Sequence, residues 1–355
     1  MSANAPGKSR AASLEFRAVT KRYASGGKDA GRGAVNDLSF SVPAGAVCVL
    51  VGPSGCGKTT SLKMVNRLIE PTAGQILLDG VDVMSEDVTA LRRRIGYVIQ
   101  QVGLFPHLTI GRNVAVVPGL DGWSRQRQQA RSTELLSMVG LDPDRYRDRY
   151  PAQLSGGERQ RVGVARALAA DPPLMLMDEP FAAVDPIVRE RLQDEFLRLQ
   201  RELAKTILFV THDIDEAIRM GDLIAVMGEG GHLAQFAPPD EILAHPASDF
   251  VARFVGADRG LKRLSLRTIA DLEADPLPSA SAARDALPAF RPETKLRDAL
   301  SILLAADTRG GVALDGEGRP RGFVTVDAIA SALKDGAPAP GSPVPASDIA
   351  QGAIG

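Results

Sequence analysis

The feature that most constrains the fold is a glycine-rich loop placed directly between a predicted buried strand and a predicted helix. The apolar run 46–51 predicts the strand, the amphipathic run 60–69 predicts the helix, and the loop with its first helical residues reads Gly52-Pro53-Ser54-Gly55-Cys56-Gly57-Lys58-Thr59-Thr60. Glycines let the backbone approach a phosphate closely, and N–H groups at a helix N-terminus hold the anion. We therefore predict a bound nucleotide, with Lys58 at its β- and γ-phosphates and Thr59 offering a hydroxyl to Mg²⁺.

An acidic pair closes another apolar run, 174–177. Asp178 stands at the end of this predicted strand, where a carboxylate would hold Mg²⁺, usually through water. Glu179 is then the candidate general base that polarises the attacking water. Alternatively, Asp178 and Glu179 are an ordinary acidic pair on the surface at a strand end. The phosphate loop upstream makes this interpretation less favoured.

Two more polar residues follow predicted strands. His212 comes after the run 206–210 and would lie at the sheet edge where proteins of this type bind ligands, so it is a candidate γ-phosphate contact. Gln100 closes the run 95–99, and its spacing alone fits a solvated loop as well as a site.

The alternation of apolar and amphipathic runs predicts an α/β fold. Strands at 46–51, 174–177, 206–210 and 223–227 alternate with helices, which favours a mainly parallel sheet covered on both faces. The polar stretch from about 105 to 165 lacks a buried strand, and we interpret it as an inserted helical subdomain.

A second glycine-rich loop, Ser155-Gly156-Gly157, opens another predicted helix. Such a run alone is usually a flexible loop. Because one chain cannot easily wrap two such loops around the same ATP, their presence together predicts two copies that close over shared nucleotides.

The composition changes after about residue 260. We predict a first domain over 1–260 and a second region over 261–355, which holds an Ala- and Pro-rich linker, a compact α/β unit at about 292–335 and a disordered tail. The compact unit contains a helix at 295–305, strands at 312–314 and 322–326, and a helix at 328–333.

The bulk composition excludes several classes of partner. A net charge of −1 gives no general electrostatic case for nucleic acid or anionic lipid. No apolar run approaches the roughly 18–20 residues that span a bilayer, and the basic N-terminus lacks the apolar core of a signal peptide. The two cysteines, Cys48 and Cys56, indicate reduced thiols rather than a disulfide framework.

Taken together, the motifs over about 14–260 resemble the ATP-binding cassette family, the ATPase subunits of ABC transporters. The resemblance implies a P-loop NTPase fold with an antiparallel β edge, ATP and Mg²⁺ as cofactors, and a nucleotide-binding homodimer. Gln100 matches the Q-loop glutamine, 154–158 the signature loop, Asp185 the D-loop and His212 the switch histidine. Tyr23 stands where the family stacks an aromatic ring on adenine, and Asp178, Thr59 and Gln100 are the implied Mg²⁺ neighbours.

Within the family, the segments 95–107 and 254–264 resemble importers of glycine betaine, carnitine and choline, and the terminal unit resembles a CBS motif. The resemblance implies two permease subunits, an extracytoplasmic solute-binding protein and a peripheral position at the cytoplasmic face of the membrane. For the terminal unit, regulation of transport and simple dimerisation stay open.

Three positions depart from the family pattern. Glu158 stands where glutamine is more common, the stretch 24–33 is an insertion after Tyr23, and only one CBS-like unit is present. An importer of another solute, such as an amino acid or a polyamine, is the main alternative, since the ATPase does not touch the cargo. A soluble ABC ATPase and a P-loop kinase are less favoured, because the chain has no tandem cassette and carries the signature loop and the switch histidine.

Overall fold

The computed structural model describes residues 11–23, 34–100, 103–182, 185–277 and 287–333. Contacts divide the chain into two compact units, Met1–Phe236 and Ala237–Gly355. The insertion at 24–33 and the predicted disordered tail at 337–355 lie outside the described residues.

Five strands of the first unit, at 47–51, 95–98, 174–178, 206–210 and 223–227, follow the predicted apolar runs closely. Over the described residues, the first unit and its boundary contain ten strands. They are β1 (Leu14–Lys21), β2 (Val35–Val42), β3 (Val47–Val51), β4 (Ala73–Leu78), β5 (Val81–Asp82), β6 (Ile95–Val98), β7 (Leu174–Asp178), β8 (Thr206–Val210), β9 (Leu223–Met227) and β10 (Leu233–Ala237).

The helices of the first unit connect these strands or form the insertion between β6 and β7. They are α1 (Lys58–Val65), α2 (Val88–Arg93), α3 (Ile110–Val114), α4 (Val116–Leu120), α5 (Arg125–Met138), α6 (Pro143–Tyr146), α7 (Gly156–Leu168), α8 (Pro186–Leu203) and α9 (Ile214–Met220), with short 3-10 turns at Val83–Ser85 and Pro151–Gln153.

Two sheets pack together in the first unit and confirm the predicted α/β class. Over the described residues, one sheet has the strand order β10-β9-β3-β8-β7-β6, with parallel pairing from β9 through β6. The other has the order β2-β1-β4-β5 and is antiparallel. The order of neighbouring strands in this sheet, β3, β8, β7, β6, places the ends of β3, β7 and β8 side by side, which is where the predicted site residues occur.

The core forms because alternate residues of the buried strands point to opposite faces of the parallel sheet. One set, which includes Leu50, Leu176 and Leu208, packs into a cluster with residues of the antiparallel sheet. There Phe16 stacks on Phe40 with ring centroids 4.5 Å apart. This two-sided burial fixes the position of the strand ends that carry the site.

The region between β6 and β7 is helical, as the sequence predicts. The helices α3 to α7 follow one another there, and α7 packs against α3 and α5. The longest of the helices in this region, α5, begins at Arg125 because the Ser124 hydroxyl accepts a bond from the Arg127 amide and caps it. Within the described residues, no helix has the length and apolar character needed to cross a bilayer.

The second unit contains three helices between residues 239 and 266 that the sequence analysis does not predict. Its elements are α10 (Pro239–Ala244), α11 (Asp249–Val255), α12 (Arg259–Leu266), a 3-10 turn at Ile269–Asp271, β11 (Ala289–Phe290), α13 (Leu296–Ala305), β12 (Gly310–Leu314), β13 (Pro320–Thr325) and α14 (Val326–Ser331).

Arginines on or after α12 tie this unit together. Arg263 forms a largely buried ion pair with Asp240 at 2.8 Å and donates to the Leu333 carbonyl, while Arg267 donates to the Ala332 carbonyl. The second unit of the structure begins at Ala237. The domain boundary at 260 and the CBS-like character of 292–335 stay predictions.

Candidate functional site

The phosphate loop takes a path that only glycine permits at two positions. Gly57 has φ +95° and caps α1, and a Cβ there would run into the Ala34 carbonyl oxygen. A Cβ on Gly52 would likewise meet the Met227 carbonyl oxygen. The loop is therefore pressed against neighbouring backbone, and its left-handed turn at Gly57 starts α1 at Lys58, two residues before the predicted helix start.

Lys58 carries a buried positive charge. Its side chain is among the buried polar groups, and its Nζ donates to the carbonyl oxygens of Gly52 at 2.7 Å and Pro53 at 3.0 Å, with the Cys56 sulfur at 3.8 Å. None of the ion pairs found among the described residues includes Lys58. A buried ammonium with only neutral acceptors favours an anionic ligand, so the loop fits a nucleotide phosphate.

Thr59 and Asp178 meet across the start of α1 and the end of β7. The Thr59 hydroxyl donates to the Asp178 carboxylate at 2.9 Å. Burial raises the pKa of Asp178, and the bond from Thr59 partly offsets this. A hydroxyl beside a buried carboxylate suits Mg²⁺, which takes one or two protein oxygens and completes its shell with phosphates and water.

Glu179 brings the three predicted catalytic residues together. Its backbone is in the left-handed region at φ 46°, and its amide donates to the Val210 carbonyl of β8 at 2.9 Å. The Gln100 amide donates to one carboxylate oxygen at 3.0 Å, and His212 Nδ1 lies 3.2 Å from the other. A strained backbone at a carboxylate with two polar neighbours is a common property of active sites.

The second glycine loop forms a separate, exposed site. Ser155 caps α7, where its hydroxyl oxygen accepts from the Glu158 amide at 3.3 Å while Glu158 accepts from the Ser155 amide at 2.7 Å. In the described parts of the chain, no hydrogen bond joins Ser155, Gly156 or Gly157 to the phosphate loop. The structure therefore does not bring the two loops together within one chain.

Two other predicted site residues lie near the edges of the described ranges. Tyr23 follows β1, is half exposed, and has the Lys21 ammonium 5.3 Å from its ring centroid. Asp185 precedes α8, and its carbonyl accepts from the Arg189 amide. Ala183 and Val184 of the predicted D-loop lie outside the described residues, so the roles of Tyr23 and Asp185 stay predictions.

Sequence reasoning missed two polar contacts between side chains. The Tyr146 hydroxyl donates to Glu158 at 2.6 Å, and the Gln193 amide donates to the buried Glu216 at 2.9 Å. Both contacts join residues at least 12 positions apart in different elements, so no helical or strand periodicity signals them. They become visible only when the elements are assembled.

Fold and site together define an ATP-hydrolysing cassette, with Lys58, Asp178 and Glu179 along one edge of a parallel sheet. A family model described as ABC transporter matches residues 35–182. The chain belongs to the ABC transporter ATP-binding proteins, and it binds ATP as an ATPase of that family.

Relatives with named functions extend over most of the chain. The osmoprotectant import ATP-binding protein OsmV of Salmonella typhimurium is 52% identical over 291 residues, which are 82% of this chain and 74% of that protein. The glycine betaine uptake system ATP-binding protein YehX of Escherichia coli is 44% identical over 87% of this chain and 96% of that protein. The carnitine transport ATP-binding protein OpuCA of Listeria monocytogenes is 55% identical over 69% of this chain and 60% of that protein.

Solved structures show the same fold. The ATP-binding cassette MJ0796, in a dimeric post-hydrolysis state bound to ADP and Pi, is 33% identical with a TM-score of 0.58, over 64% of this chain and 98% of that one.

Proposed function

We propose that this chain is the ATP-hydrolysing subunit of an importer for osmoprotectants of the glycine betaine type. The observation that carries the proposal is the similarity to OsmV and YehX, since alignment covers 74% and 96% of those proteins. Both names refer to import of osmoprotectants or glycine betaine. The importer resemblance of the segments 95–107 and 254–264 supports the same solute class.

The proposal includes a head-to-tail dimer with two shared ATP molecules. Each nucleotide would lie between the Lys58 and Thr59 loop of one copy and the Ser155-Gly156-Gly157 loop of the other. Two features support this arrangement: the loops do not bond to each other within one chain, and the related cassette MJ0796 is dimeric. Ser155 would donate its hydroxyl proton and the start of α7 its amides to the γ-phosphate.

The chain's own residues have distinct tasks in this proposal. Thr59, Asp178 and Gln100 would hold Mg²⁺, which neutralises charge on the phosphates. Glu179 would orient and deprotonate the attacking water, and His212, beside the same carboxylate at 3.2 Å, would detect the γ-phosphate. Cleavage removes the contact between the copies, and the dimer opens.

Transport requires partners that the chain itself does not contain. We propose two permease subunits bound at the segment 102–107 that follows Gln100, an extracytoplasmic solute-binding protein, and a peripheral position at the cytoplasmic face of the membrane. Glycine 103 in this segment is held by Arg166 of α7, whose guanidinium donates to its carbonyl at 2.7 Å. Movement of the signature helix α7 would thereby reach the permease-facing segment.

The test is uptake in proteoliposomes that contain the chain together with its cognate permease and solute-binding protein. Radiolabelled glycine betaine, choline, carnitine and proline are offered with ATP inside, against an amino acid and a polyamine as controls. We expect saturable uptake of at least one quaternary amine. Uptake of only the control solutes would refute the proposed cargo while leaving the ATPase assignment intact.

A further inference from the structure

The contact between Tyr146 and Glu158 has no counterpart in the nucleotide chemistry described above. Tyr146 ends α6, is half-buried, and its hydroxyl reaches one carboxylate oxygen of Glu158 at 2.6 Å. The other oxygen of Glu158 accepts from the Ser155 amide at 2.7 Å. One carboxylate therefore connects the end of α6 to the serine that opens α7.

This geometry determines what the Ser155 hydroxyl is able to do. Its oxygen accepts from the Glu158 amide at 3.3 Å, so its own proton is left to be donated outward. Ser155 and Gly156 are exposed, and the space around a Cβ on Gly156 is open to 4 Å. An approaching phosphate would meet that hydroxyl proton and the first amides of α7.

The same geometry places a negative charge three residues from that hydroxyl. A carboxylate at the third position of a helix is favourable for the helix, but it opposes an incoming phosphate in a site that excludes water. The bond from Tyr146 and the Ser155 amide keep the pKa of Glu158 below its usual value, so the group stays ionised. The Glu158 carboxylate must then be held by hydrogen bonds on the side of α7 that faces away from the incoming phosphate.

We propose that Tyr146 is a positioning residue that makes Glu158 compatible with ATP binding by the signature loop. Its hydroxyl holds the carboxylate at the end of α6, and the guanidinium groups of Arg145 and Arg149 lie 5.5 Å and 4.9 Å from the tyrosine ring centroid. The carboxylate then acts on Ser155 through the amide rather than facing the nucleotide. The proposal rests on the proposed function, in which Ser155 contacts the ATP held by the second copy.

The experiment is a double-mutant cycle on the full-length chain, with Y146F, E158Q and Y146F/E158Q. The steady-state KM for Mg·ATP and kcat are measured, with thermal unfolding of each variant. In the Glu158 parent, Y146F removes a bond to a charged group and should raise KM by roughly fivefold to tenfold, with a smaller change in kcat. In the E158Q background no charge needs to be directed, so Y146F should change KM by less than about twofold.

The matched control is Y150F, which removes a hydroxyl from an exposed tyrosine four residues along the same segment and should leave KM unchanged. Equal effects of Y146F in both backgrounds, or an effect in neither, would overturn the proposal. If Y146F folds only when it is combined with E158Q, then the role of Tyr146 depends on the charge of Glu158, as proposed. If both fail to fold, Tyr146 is merely structural and the proposal is wrong.

S155A separates this proposal from the one on which it rests. Loss of ATP-driven dimerisation in S155A together with equal Y146F effects refutes only the role of Tyr146. If S155A dimerises and hydrolyses ATP as the parent does, the contact of the signature loop with nucleotide fails, and with it the proposed shared site.

Discussion

The two glycine loops of this chain differ in how they are built. The phosphate loop is pressed between β3, β9 and the backbone at Ala34, and its charged group, Lys58, is buried among its own carbonyls. The signature loop is exposed, and its shape comes from a local cap at Ser155 and from Tyr146. The first loop depends on the whole sheet for its shape, whereas the second depends on a few neighbouring side chains.

Because the two loops are built differently, substitutions in them should change different properties of the protein. Changes in the phosphate loop should alter stability and nucleotide binding together, because the same packing serves both. Changes at the exposed residues of the signature loop should mainly alter the contact with a second copy, because within the chain these residues support only the start of α7.

The largest expected effect is on turnover in E179Q. The amide keeps the size of the side chain but cannot accept a proton from water, so kcat should fall by about 10²–10⁴-fold. ATP binding should persist, and an ATP-dependent dimer should accumulate, as measured by light scattering after gel filtration. Near-normal hydrolysis would remove Glu179 from its role as base.

Adding a second change to E179Q compares the two loops directly. E179Q/S155A should bind ATP as a monomer but form no dimer, whereas E179Q/K58A should lose ATP binding itself. If S155A weakened ATP binding by the isolated chain as much as K58A, the two loops would serve one nucleotide within the same chain.

Glycine substitutions give the next largest effect. G57A places a Cβ at φ +95° against the Ala34 carbonyl, so the free energy of unfolding should fall by roughly 1–3 kcal/mol. G156A meets no atom within 4 Å, and its stability should stay within about 0.5 kcal/mol of the parent. Urea unfolding without nucleotide measures both.

ATP-driven dimerisation of G156A is a second measurement on the signature loop. The added methyl group would occupy the open space that the proposed second nucleotide needs, so dimerisation should weaken although the fold is intact. A stable G156A that dimerises normally would show that no phosphate approaches this part of the loop.

A smaller expected effect is a pH-dependent gain of stability in D178N. Because burial raises the pKa of Asp178 above its unfolded value, the carboxylate destabilises the fold fully above the folded pKa, and the cost fades as pH falls through it. D178N should therefore raise Tm by about 2–4 °C at pH 8, with the difference shrinking toward pH 4. Thermal unfolding across this range is the measurement, and an offset independent of pH would contradict it.

Removing the charge of Glu158 should change stability in the opposite direction to D178N. Its pKa is lowered by Tyr146 and by the Ser155 amide, so its carboxylate stabilises the fold above its unfolded pKa, and this gain is lost as pH falls through the folded one. E158Q should therefore be slightly less stable than the parent at pH 8, by no more than about 0.5 kcal/mol because solvent screens the group.

The sequence was most informative where burial and local chemistry act together. The strands Thr206–Val210 and Leu223–Met227 have the bounds that their apolar runs predict, because strands buried on both faces end where polar residues begin. Gln100, Glu179 and His212, predicted one by one from strand ends, prove to be hydrogen-bonded neighbours.

The sequence was least informative where structure depends on distant contacts. The two-residue strand Ala289–Phe290 is too short to carry a pattern and forms only by pairing with β12. The grouping of α10 to α12 with the second unit depends on ion pairs such as Arg263 with Asp240, 23 positions apart. The bond from Tyr146 to Glu158 likewise joins two separate helices, α6 and α7, and no periodicity within either helix predicts it.

The separation of the two loops within one chain has a genetic consequence. In the proposed dimer, a K58A chain retains an intact signature loop, and an S155A chain retains an intact phosphate loop. Each variant alone forms no complete site, but a mixed pair combines the good loop of each into one. Two inactive alleles expressed in the same cell should therefore complement each other, because the functional unit is the interface rather than the polypeptide.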